Sequence, residues 1–290
     1  MGEQHQDTAP VIVTALYAPA SRPELLPKAL SGGAHAVIVD LEDAVVAGQK
    51  DRARDNALAF LDDLPARPAV QVRVNHPRGA FGPRDLAALG THPAVREGRV
   101  GVRLPKVTSP ADVDLALELL GTPAPPPVHC LLESASGVEH AAGIAAHPAV
   151  ATLALGEADL AAELGLRGED AYTWIRSRVV VAAAAAGLPA PMMAVYTDLA
   201  DPGGLAASCA RGRGLGMFGR TALHPRQLAV IVNAFAPDDT EVRRAREVLA
   251  AAADAEADGT GAIALPDGRF VDAPIVETAR RTVRLAELLA

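Results

Sequence analysis

The sequence of 290 residues has little of what several protein classes depend on. Its two cysteines are too few for a disulfide framework or a structural zinc site, so we expect a reducing compartment. Aromatic residues make up only 3% of the chain, and the net charge is −8. Because nucleic-acid binding needs basic surfaces and stacking side chains, we predict no nucleic-acid partner.

Long hydrophobic runs are missing from the sequence as well. The longest apolar stretch, residues 179–188, has ten residues and is mostly alanine. A helix that crosses a bilayer needs roughly 20 apolar residues, so we predict no membrane partner. Residues 1–10 are polar and lack the cationic flank and apolar stretch of a signal peptide, and we expect a disordered tail there. The chain is therefore predicted to be cytoplasmic.

The sequence does contain short apolar runs that alternate with alanine- and leucine-rich amphipathic segments. Near-continuous apolar runs are typical of parallel strands that helices cover on both faces. Eight runs are predicted as strands: residues 11–17, 36–41, 69–74, 99–104, 128–132, 151–155, 192–196 and 216–218. Eight strand–helix repeats match an α/β fold of the (β/α)8 TIM-barrel type, which we predict for residues 11–236. An open doubly wound sheet is the alternative, but the first βα turn lacks its glycine fingerprint.

Residues 237–290 exceed what a barrel requires. Their pattern predicts a charged surface helix over residues 238–258 and a closing helix over residues 274–289. Between these helices, two short runs at 263–265 and 269–271 flank a Pro-Asp-Gly turn, which predicts a small hairpin. We interpret this C-terminal helix–hairpin–helix segment as a lid or as an arm for oligomerisation.

Charged residues follow five of the predicted strands at a regular interval. They are Asp40, Arg73, Lys106, Glu133 and Asp159. Their spacing of 26 to 33 residues is close to the roughly 31 residues per unit of a 250-residue barrel. Because the C-terminal ends of barrel strands converge on the mouth where active sites are built, we expect these side chains to meet there.

The residue types at this mouth favour a divalent cation and an anionic substrate. Glu133 and Asp159 end neighbouring strands and suit Mg²⁺, which is often held by one or two carboxylates. These strand ends offer no His or Cys, which argues against zinc. Arg73 offers a permanently charged fork to a carboxylate or an enolate oxygen. The run Asp40-Leu41-Glu42-Asp43 would contact metal-bound water or orient Arg73.

Lys106 has two interpretations that the sequence leaves open. It is either a Schiff-base lysine, because a buried lysine can lose its proton, or the partner of an Asp or Glu inside the barrel. We favour the second interpretation. His76 and His224, each followed by proline, are interpreted as loop-capping residues, and Cys130 and Cys209 as small buried hydrophobic residues.

Seven short motifs occur in the order in which a known enzyme family carries them. They are residues 18–24 (APASRPE), 39–43 (VDLED), 72–75 (VRVN), 104–107 (LPKV), 132–135 (LESA), 156–159 (GEAD) and 223–227 (LHPRQ). From about residue 17 to residue 235, and on into the tail, the chain resembles the citrate lyase beta-subunit-like family, relatives of malyl-CoA and citramalyl-CoA lyases. Each motif alone is weak, but seven in this order are specific.

This resemblance implies a fold, a cofactor and a reaction. The fold is a TIM barrel, in a homotrimer or homohexamer. The cofactor is Mg²⁺, with Mn²⁺ as a substitute. The reaction is the reversible carbon–carbon cleavage of a 3-hydroxyacyl-CoA thioester, such as malyl-, citramalyl- or citryl-CoA, into an acyl-CoA and a 2-oxo acid. The partners implied are thus small molecules, and CoA enters as part of the substrate.

The resemblance also implies roles for individual residues. Glu133 and Asp159 would be the direct metal ligands, and Arg73 would hold the carbonyl or enolate oxygen. The carboxylate of the oxo acid would be bound by backbone amides of Gly156, Glu157, Ala158 and Asp159. The residues around this inner set would be Asp40, Glu42, Asp43 and Lys106.

Asp272 lies in a tail segment that is similar to the lid of the CoA lyases. The resemblance implies a general acid/base that acts in the site of a neighbouring subunit. On the local sequence alone, the alternative is an N-cap for the closing helix. The sequence leaves this choice open.

Three other activities remain as alternatives. Attack of water on the thioester would give a malyl-CoA-type thioesterase. A metal-dependent aldolase on free hydroxy-oxo acids is a second alternative, although 4-hydroxy-2-oxoheptanedioate aldolases lack the Asp-Leu-Glu-Asp run and this tail. The third is a citrate lyase subunit that depends on an acyl carrier protein. The choice of acyl group and the direction of the reaction also stay open.

Overall fold

The structure is a computed structural model that describes residues 11–257, 263–264 and 268–289. It has two compact units, the first ending at Ala234 and the second beginning at Phe235. The predicted tail of residues 1–10 lies outside the described residues. Within the described ranges, no helix has the length and apolar character needed to cross a membrane.

The described part of the first unit contains a parallel sheet of seven strands. They are β1 (Thr14–Pro19), β2 (Ala36–Asp40), β3 (Ala69–Arg73), β4 (Val100–Leu104), β5 (Val128–Leu132), β6 (Val150–Leu155) and β7 (Arg220–Ala222). Their order is β6-β5-β4-β3-β2-β1-β7, and neighbouring strands are parallel. Two isolated parallel bridges, Ala154 to Met192 and Met193 to Arg220, continue the pairing from β6 to β7. The predicted α/β fold with a parallel sheet is confirmed.

Helices connect these strands along the chain. The α-helices are α1 (Leu26–Leu30), α2 (Lys50–Leu61), α3 (Gly82–Thr91), α4 (Pro93–Arg96), α5 (Pro110–Leu120), α6 (Ala135–Glu139), α7 (Ala141–Ala145), α8 (Glu157–Leu164), α9 (Thr173–Ala185), α10 (Pro202–Gly214) and α11 (Leu228–Phe235). Short 3-10 helices occupy Pro23–Leu25, Ala47–Gln49, Glu169–Tyr172 and Pro225–Gln227. The start of α5 follows from its sequence, because Ser109 and Asp112 form a capping box.

The predicted strands agree with the structure except at the end of the series. Five of them match β2 to β6 within two residues at each end, and the predicted strand at 192–196 is reduced to the two bridges. The last strand, predicted near residues 216–218, lies slightly later in the chain, at Arg220–Ala222. Gly216 and Gly219 have φ of 88° and 75°, so the chain turns there and β7 begins at Arg220.

Sheet register places the polar strand ends side by side. Every residue of β2, β4 and β5 is buried, as expected for parallel strands that are covered on both faces. Asp40 is the register partner of Arg73, and Arg73 is the register partner of Arg103. Residues that share a register row point to the same face of the sheet, so these three side chains extend from neighbouring strands into one region.

The second unit consists of two helices and a small hairpin in its described part. Helix α12 (Asp239–Ala257) packs against α13 (Ala273–Leu289), and β8 (Ile263–Ala264) pairs antiparallel with β9 (Phe270–Val271). Its core cluster is formed by Ala245, Val248, Val271 and Ala279. The element order is the predicted helix–hairpin–helix, although Pro266 and Asp267 of the predicted turn lie outside the described residues.

Candidate active site

The acidic run after β2 holds the guanidinium of Arg73. Arg73 Nε and Nη2 each donate to a different oxygen of Asp40, both at 2.7 Å. Arg73 Nη1 lies 2.9 Å from Glu42 Oε2 and 3.2 Å from Asp43 Oδ2. The guanidinium also stacks over the ring of Tyr17, 4.8 Å from its centroid. Arg73 is thus fixed by three carboxylates at the C-terminal ends of β2 and β3.

Burial and charge act in opposite directions on Arg73. Burial lowers the pKa of this guanidinium, whereas hydrogen bonding to Asp40 and the negative charges of Asp40 and Glu42 raise it. The net effect is a raised pKa, so the side chain keeps its charge. A fixed, buried cation in this position can stabilise an oxyanion that forms next to it.

Lys106 contacts two of the acidic residues through different atoms. Its backbone has φ of 54°, in the left-handed region that non-glycine residues seldom adopt. The Lys106 N–H donates to Glu133 Oε1 at 3.0 Å, and Nζ donates to Glu42 Oε1 at 2.9 Å. The hydrogen bond to Glu42 raises the pKa of Lys106 more than burial lowers it. A Schiff-base lysine needs a lowered pKa, so the structure supports the ion-pair interpretation.

Glu133 and Asp159 form a pair of facing carboxyl groups. Glu133 directly follows β5 and is only 4% exposed. Asp159 lies in the first turn of α8. Burial raises the pKa of Glu133 to about 8, helped by the charges of Glu42 and Asp159 and opposed by the Lys106 N–H. The Asp159 side chain contributes to the raised pKa of Glu133 through hydrogen bonding and charge, so it lies near the Glu133 carboxyl group. Neighbouring carboxyl groups oppose each other's ionisation, and a bound cation would relieve that repulsion.

The donor set of this pair fits Mg²⁺. The described ranges contain no group of three or more His, Cys, Asp or Glu side chains placed to hold a metal ion. A cation bound by the two carboxylates of Glu133 and Asp159 would keep other coordination positions for water or substrate oxygens. Mg²⁺ is commonly held in this way, by one or two carboxylates and several waters.

Gly156 allows Glu133 to approach the start of α8. A Cβ atom at Gly156 would lie 2.6 Å from Glu133 Cγ, so a side chain at this position would displace the carboxylate. The Gly156 N–H donates to Leu132 O at 3.0 Å within the sheet. The first-turn amides of Glu157, Ala158 and Asp159, in contrast, have no acceptor within the helix. Binding of a substrate carboxylate by the backbone of residues 156–159 stays a prediction.

Asp272 belongs to the second unit and lies at the start of α13. Its Oδ1 accepts a hydrogen bond from the Ile275 N–H at 3.3 Å, the contact of an N-cap. This matches the alternative that the local sequence offers. A role in proton transfer stays a prediction.

Sequence reasoning missed Lys50, which ties the acidic loop to the neighbouring strand. It is 8% exposed, and its Nζ donates to Leu41 O, Glu42 O and Asn75 Oδ1, each at 2.7 Å. Lys50 is the first residue of α2, where a charged residue is ordinary, so no pattern in the sequence indicates its burial.

A second missed residue is Arg103, in the middle of the apolar strand β4. It is 2% exposed and donates from Nε to Gln71 Oε1 at 3.0 Å. Its Nη1 is buried without a hydrogen-bond partner among the described residues, and burial lowers its pKa. The occurrence of an arginine inside the apolar run Val-Gly-Val-Arg-Leu is a signal from which its burial could have been predicted.

Comparison with known proteins assigns the family. Residues 14–225 match the model of the HpcH/HpaI aldolase/citrate lyase family. This chain belongs to that family. A (3S)-malyl-CoA thioesterase from Cereibacter sphaeroides is 34% identical over 281 residues, which cover 96% of this chain and 95% of that protein. An L-malyl-CoA/beta-methylmalyl-CoA lyase from the same organism is 32% identical over 304 residues. This match covers 95% of this chain and 94% of that protein.

A solved structure in the family is similar over almost the whole chain. Protein CitE from Mycobacterium tuberculosis, in complex with magnesium, acetoacetate and coenzyme A, superposes with a TM-score of 0.80 at 33% sequence identity. The match covers 94% of this chain and 97% of that one. The resemblance found in the sequence motifs is confirmed, and so is the prediction of an enzyme of the lyase type.

Proposed function

We propose that this member of the HpcH/HpaI aldolase/citrate lyase family is a Mg²⁺-dependent carbon–carbon lyase. Its substrate would be a 3-hydroxyacyl-CoA thioester, such as malyl-, citramalyl- or citryl-CoA, which it cleaves to an acyl-CoA and a 2-oxo acid or forms from them. The observation that carries this proposal is the facing pair Glu133 and Asp159 beside an Arg73 that three carboxylates hold in place. Relatives named as malyl-CoA lyases and a magnesium- and CoA-bound neighbour support it.

The proposal includes the finer architecture. The parallel pairing that continues through residues 192–193 to β7 supports an eight-stranded (β/α)8 barrel over residues 11–236. Residues 237–290 would then form the lid or oligomer arm. We place the protein in the cytoplasm, as a homotrimer or homohexamer.

Two sets of groups would bind the substrate. Glu133 and Asp159 would hold Mg²⁺, which when bound would polarise the oxygens of the hydroxy acid or oxo acid. The first-turn amides of α8 would bind the carboxylate of the oxo acid, since a helix N-terminus attracts anions. This arrangement fixes the oxo-acid end of the substrate between β5 and α8.

Arg73 would stabilise the charge that develops during cleavage. When the bond between the carbinol carbon and the thioester α-carbon breaks, the hydroxyl loses its proton and the electron pair moves into a thioester enolate. A preorganised cation beside the enolate oxygen lowers the barrier because its attraction is greatest in the transition state. Asp272 from another subunit, as a general acid/base, would accept the hydroxyl proton and donate it to the enolate carbon.

A thioesterase is the second candidate, because the 34% identical relative bears that name. In this reaction water attacks the thioester carbonyl and the products are the free hydroxy acid and CoA. The same acidic and basic groups would take part in both reactions, so only the products tell the two activities apart.

The test is a panel of malyl-, methylmalyl-, citramalyl- and citryl-CoA, each incubated with the protein and Mg²⁺. A lyase releases a 2-oxo acid without free thiol, whereas a thioesterase releases one free CoA thiol per turnover. Removal of the metal by a chelator should stop the reaction, and Mg²⁺ or Mn²⁺ should restore it. Equal turnover of free malate or citramalate would favour the aldolase, and no product from any thioester would contradict the proposal.

A further inference from the structure

A buried arginine lies behind the first turn of α8. Arg176, on α9, is 0% exposed and donates from Nε to Glu157 Oε1 at 2.6 Å and from Nη2 to Glu157 Oε2 at 2.9 Å. Its Nη1 donates to Glu169 Oε1 at 2.6 Å. Such a two-pronged arginine–carboxylate pair is strong and fixes the relative orientation of both groups.

Glu157 is held at its backbone as well as at its carboxylate. The Tyr172 hydroxyl donates to Glu157 O at 3.2 Å, and Arg176 stacks over the Tyr172 ring, 5.3 Å from its centroid. Glu157 is the first residue of α8, two residues before Asp159. Both ends of Glu157 are therefore attached to the segment that contains Tyr172 and Arg176.

Helix α8 has Gly156 as its N-cap and begins without a side-chain cap hydrogen bond, as do α1, α2, α3, α7 and α9. Ser134 on α6 and Asp201 on α10 show the capped alternative. A capping oxygen would occupy the first-turn amides, because it accepts from the N–H of the second or third residue. Without such a cap, the first-turn amides of α8 have no acceptor within the helix and are open to water or a ligand.

We propose that Arg176 is a positioning residue that fixes the first turn of α8 from behind, in place of an N-cap. The amides of that turn thereby stay available for a substrate carboxylate, and the Asp159 carboxylate stays directed at Glu133. What the turn binds rests on the proposed function, whereas the anchoring is a property of the protein without ligand.

The rest of the network gives Arg176 a rigid support. The Ser208 hydroxyl on α10 donates to Glu169 Oε1 at 2.8 Å, and Arg220 Nη1 on β7 donates to Ser208 Oγ at 2.9 Å. Arg176 is thus connected through two acceptors to the sheet. A lysine could satisfy only part of this arrangement, because it lacks the planar fork.

The test compares Arg176→Gln with Arg211→Gln in the full-length chain. Arg211 pairs with Asp170 in the same 3-10 helix that contains Glu169, but this pair is exposed and does not include Glu157. In Arg176→Gln we expect faster amide hydrogen exchange at residues 160–163 without metal, because these amides donate to the carbonyls of the first turn, as Leu160 N–H does to Gly156 O. We also expect Mg²⁺ affinity lower by about 10- to 100-fold, as for other residues that orient ligands. Arg211→Gln should change neither.

Further variants keep the inference falsifiable. If Arg176→Gln does not fold, Glu157→Gln provides the same test, since it removes the charge that Arg176 binds. Arg176→Lys should give intermediate exchange and affinity. Unchanged exchange at residues 160–163 in folded Arg176→Gln would overturn the inference. If Arg176→Gln does not fold, unchanged exchange at these residues in Glu157→Gln would overturn it. Faster exchange in a protein whose wild type binds no Mg²⁺ would instead support the anchoring and count against the proposed function.

Discussion

Arg73 owes its position to its acidic neighbours. Both oxygens of Asp40 are engaged by its guanidinium, and Asp40 is held in turn by the N–H groups of Glu42 and Ala44 at 2.9 and 3.1 Å. The loop after β2 therefore sets the direction of the guanidinium before any substrate binds. Preorganisation of this kind is what electrostatic catalysis requires.

Arg73→Lys should separate catalysis from metal binding. The lysine keeps the positive charge but loses the two-pronged pair with Asp40, so we expect kcat to fall by roughly 10²- to 10³-fold. Mg²⁺ affinity, measured by calorimetry, should stay unchanged because Arg73 is not among the proposed ligands. Arg78→Lys is the matched control, since Arg78 pairs with Asp112 but is exposed. A normal kcat in Arg73→Lys would contradict the role of the fork.

The carboxyl pair predicts an unusual pH dependence for the metal-free protein. The pKa of Glu133 is raised from 4.5 to about 8, mainly by burial. A group with a higher pKa in the folded state binds a proton more tightly when folded, so stability is lost as the pH rises. We expect the free energy of unfolding without Mg²⁺ to fall between about pH 5 and pH 8, as measured by urea denaturation.

Glu133→Gln is the control for this dependence. The amide does not titrate, so the fall in stability over the same pH range should shrink in the variant. Mg²⁺ should stabilise the wild type increasingly as the pH rises, because the ligand must lose its proton, and should not stabilise the variant. The same pH dependence in both proteins would show that Glu133 does not titrate in this range.

At the scale of elements, the strands were predictable where burial on both faces leaves a continuous apolar run. This holds for β2 to β6, and it also placed Asp40 and Glu133 at strand ends. It fails at β7, because Gly216 and Gly219 turn the chain in a segment whose composition looks apolar. Lys50 and Arg176 could not be predicted, because their burial depends on partners contributed by other elements.

Replacement of either of two buried arginines in the strands should change the stability of the protein, in opposite directions for the two. Arg103 on β4 and Arg220 on β7 are each 2% exposed. Arg103 makes one hydrogen bond, to Gln71, and has no hydrogen-bond partner at Nη1 among the described residues, whereas Arg220 donates to Ala194 O and Ser208 Oγ at 2.7 and 2.9 Å. Charge without compensation inside a protein is costly, so its replacement by an apolar side chain of similar volume relieves that cost.

Arg103→Met should therefore raise the free energy of unfolding by about 1 to 4 kcal/mol. Arg220→Met should lower it by about 1 to 3 kcal/mol, because two buried acceptors lose their donor. Chemical denaturation of both variants beside the wild type gives the comparison. Destabilisation of similar size in both would show that Arg103 is as well compensated as Arg220.

At the scale of the whole molecule, the residues assigned to the reaction fall in both compact units. The proposed metal ligands Glu133 and Asp159 lie with Arg73 in the first unit, and Asp272, the proposed acid/base, lies in the second. The order of elements in the tail was predictable from its periodicity and its Pro-Asp-Gly turn. The role of Asp272 was not, since the same aspartate in the same position also caps α13.

Subunit mixing tests whether Asp272 acts in trans. Arg73→Ala and Asp272→Ala should each be inactive alone, but after subunit exchange a mixed oligomer contains sites with an intact Arg73 on one chain and an intact Asp272 on another. We expect partial recovery of activity in this mixture. A mixture of Arg73→Ala and Glu133→Ala should stay inactive, because both residues belong to the first unit of the same chain. Recovery in neither mixture, with exchange shown by mass spectrometry of tagged chains, would contradict a role of Asp272 in the site of another chain.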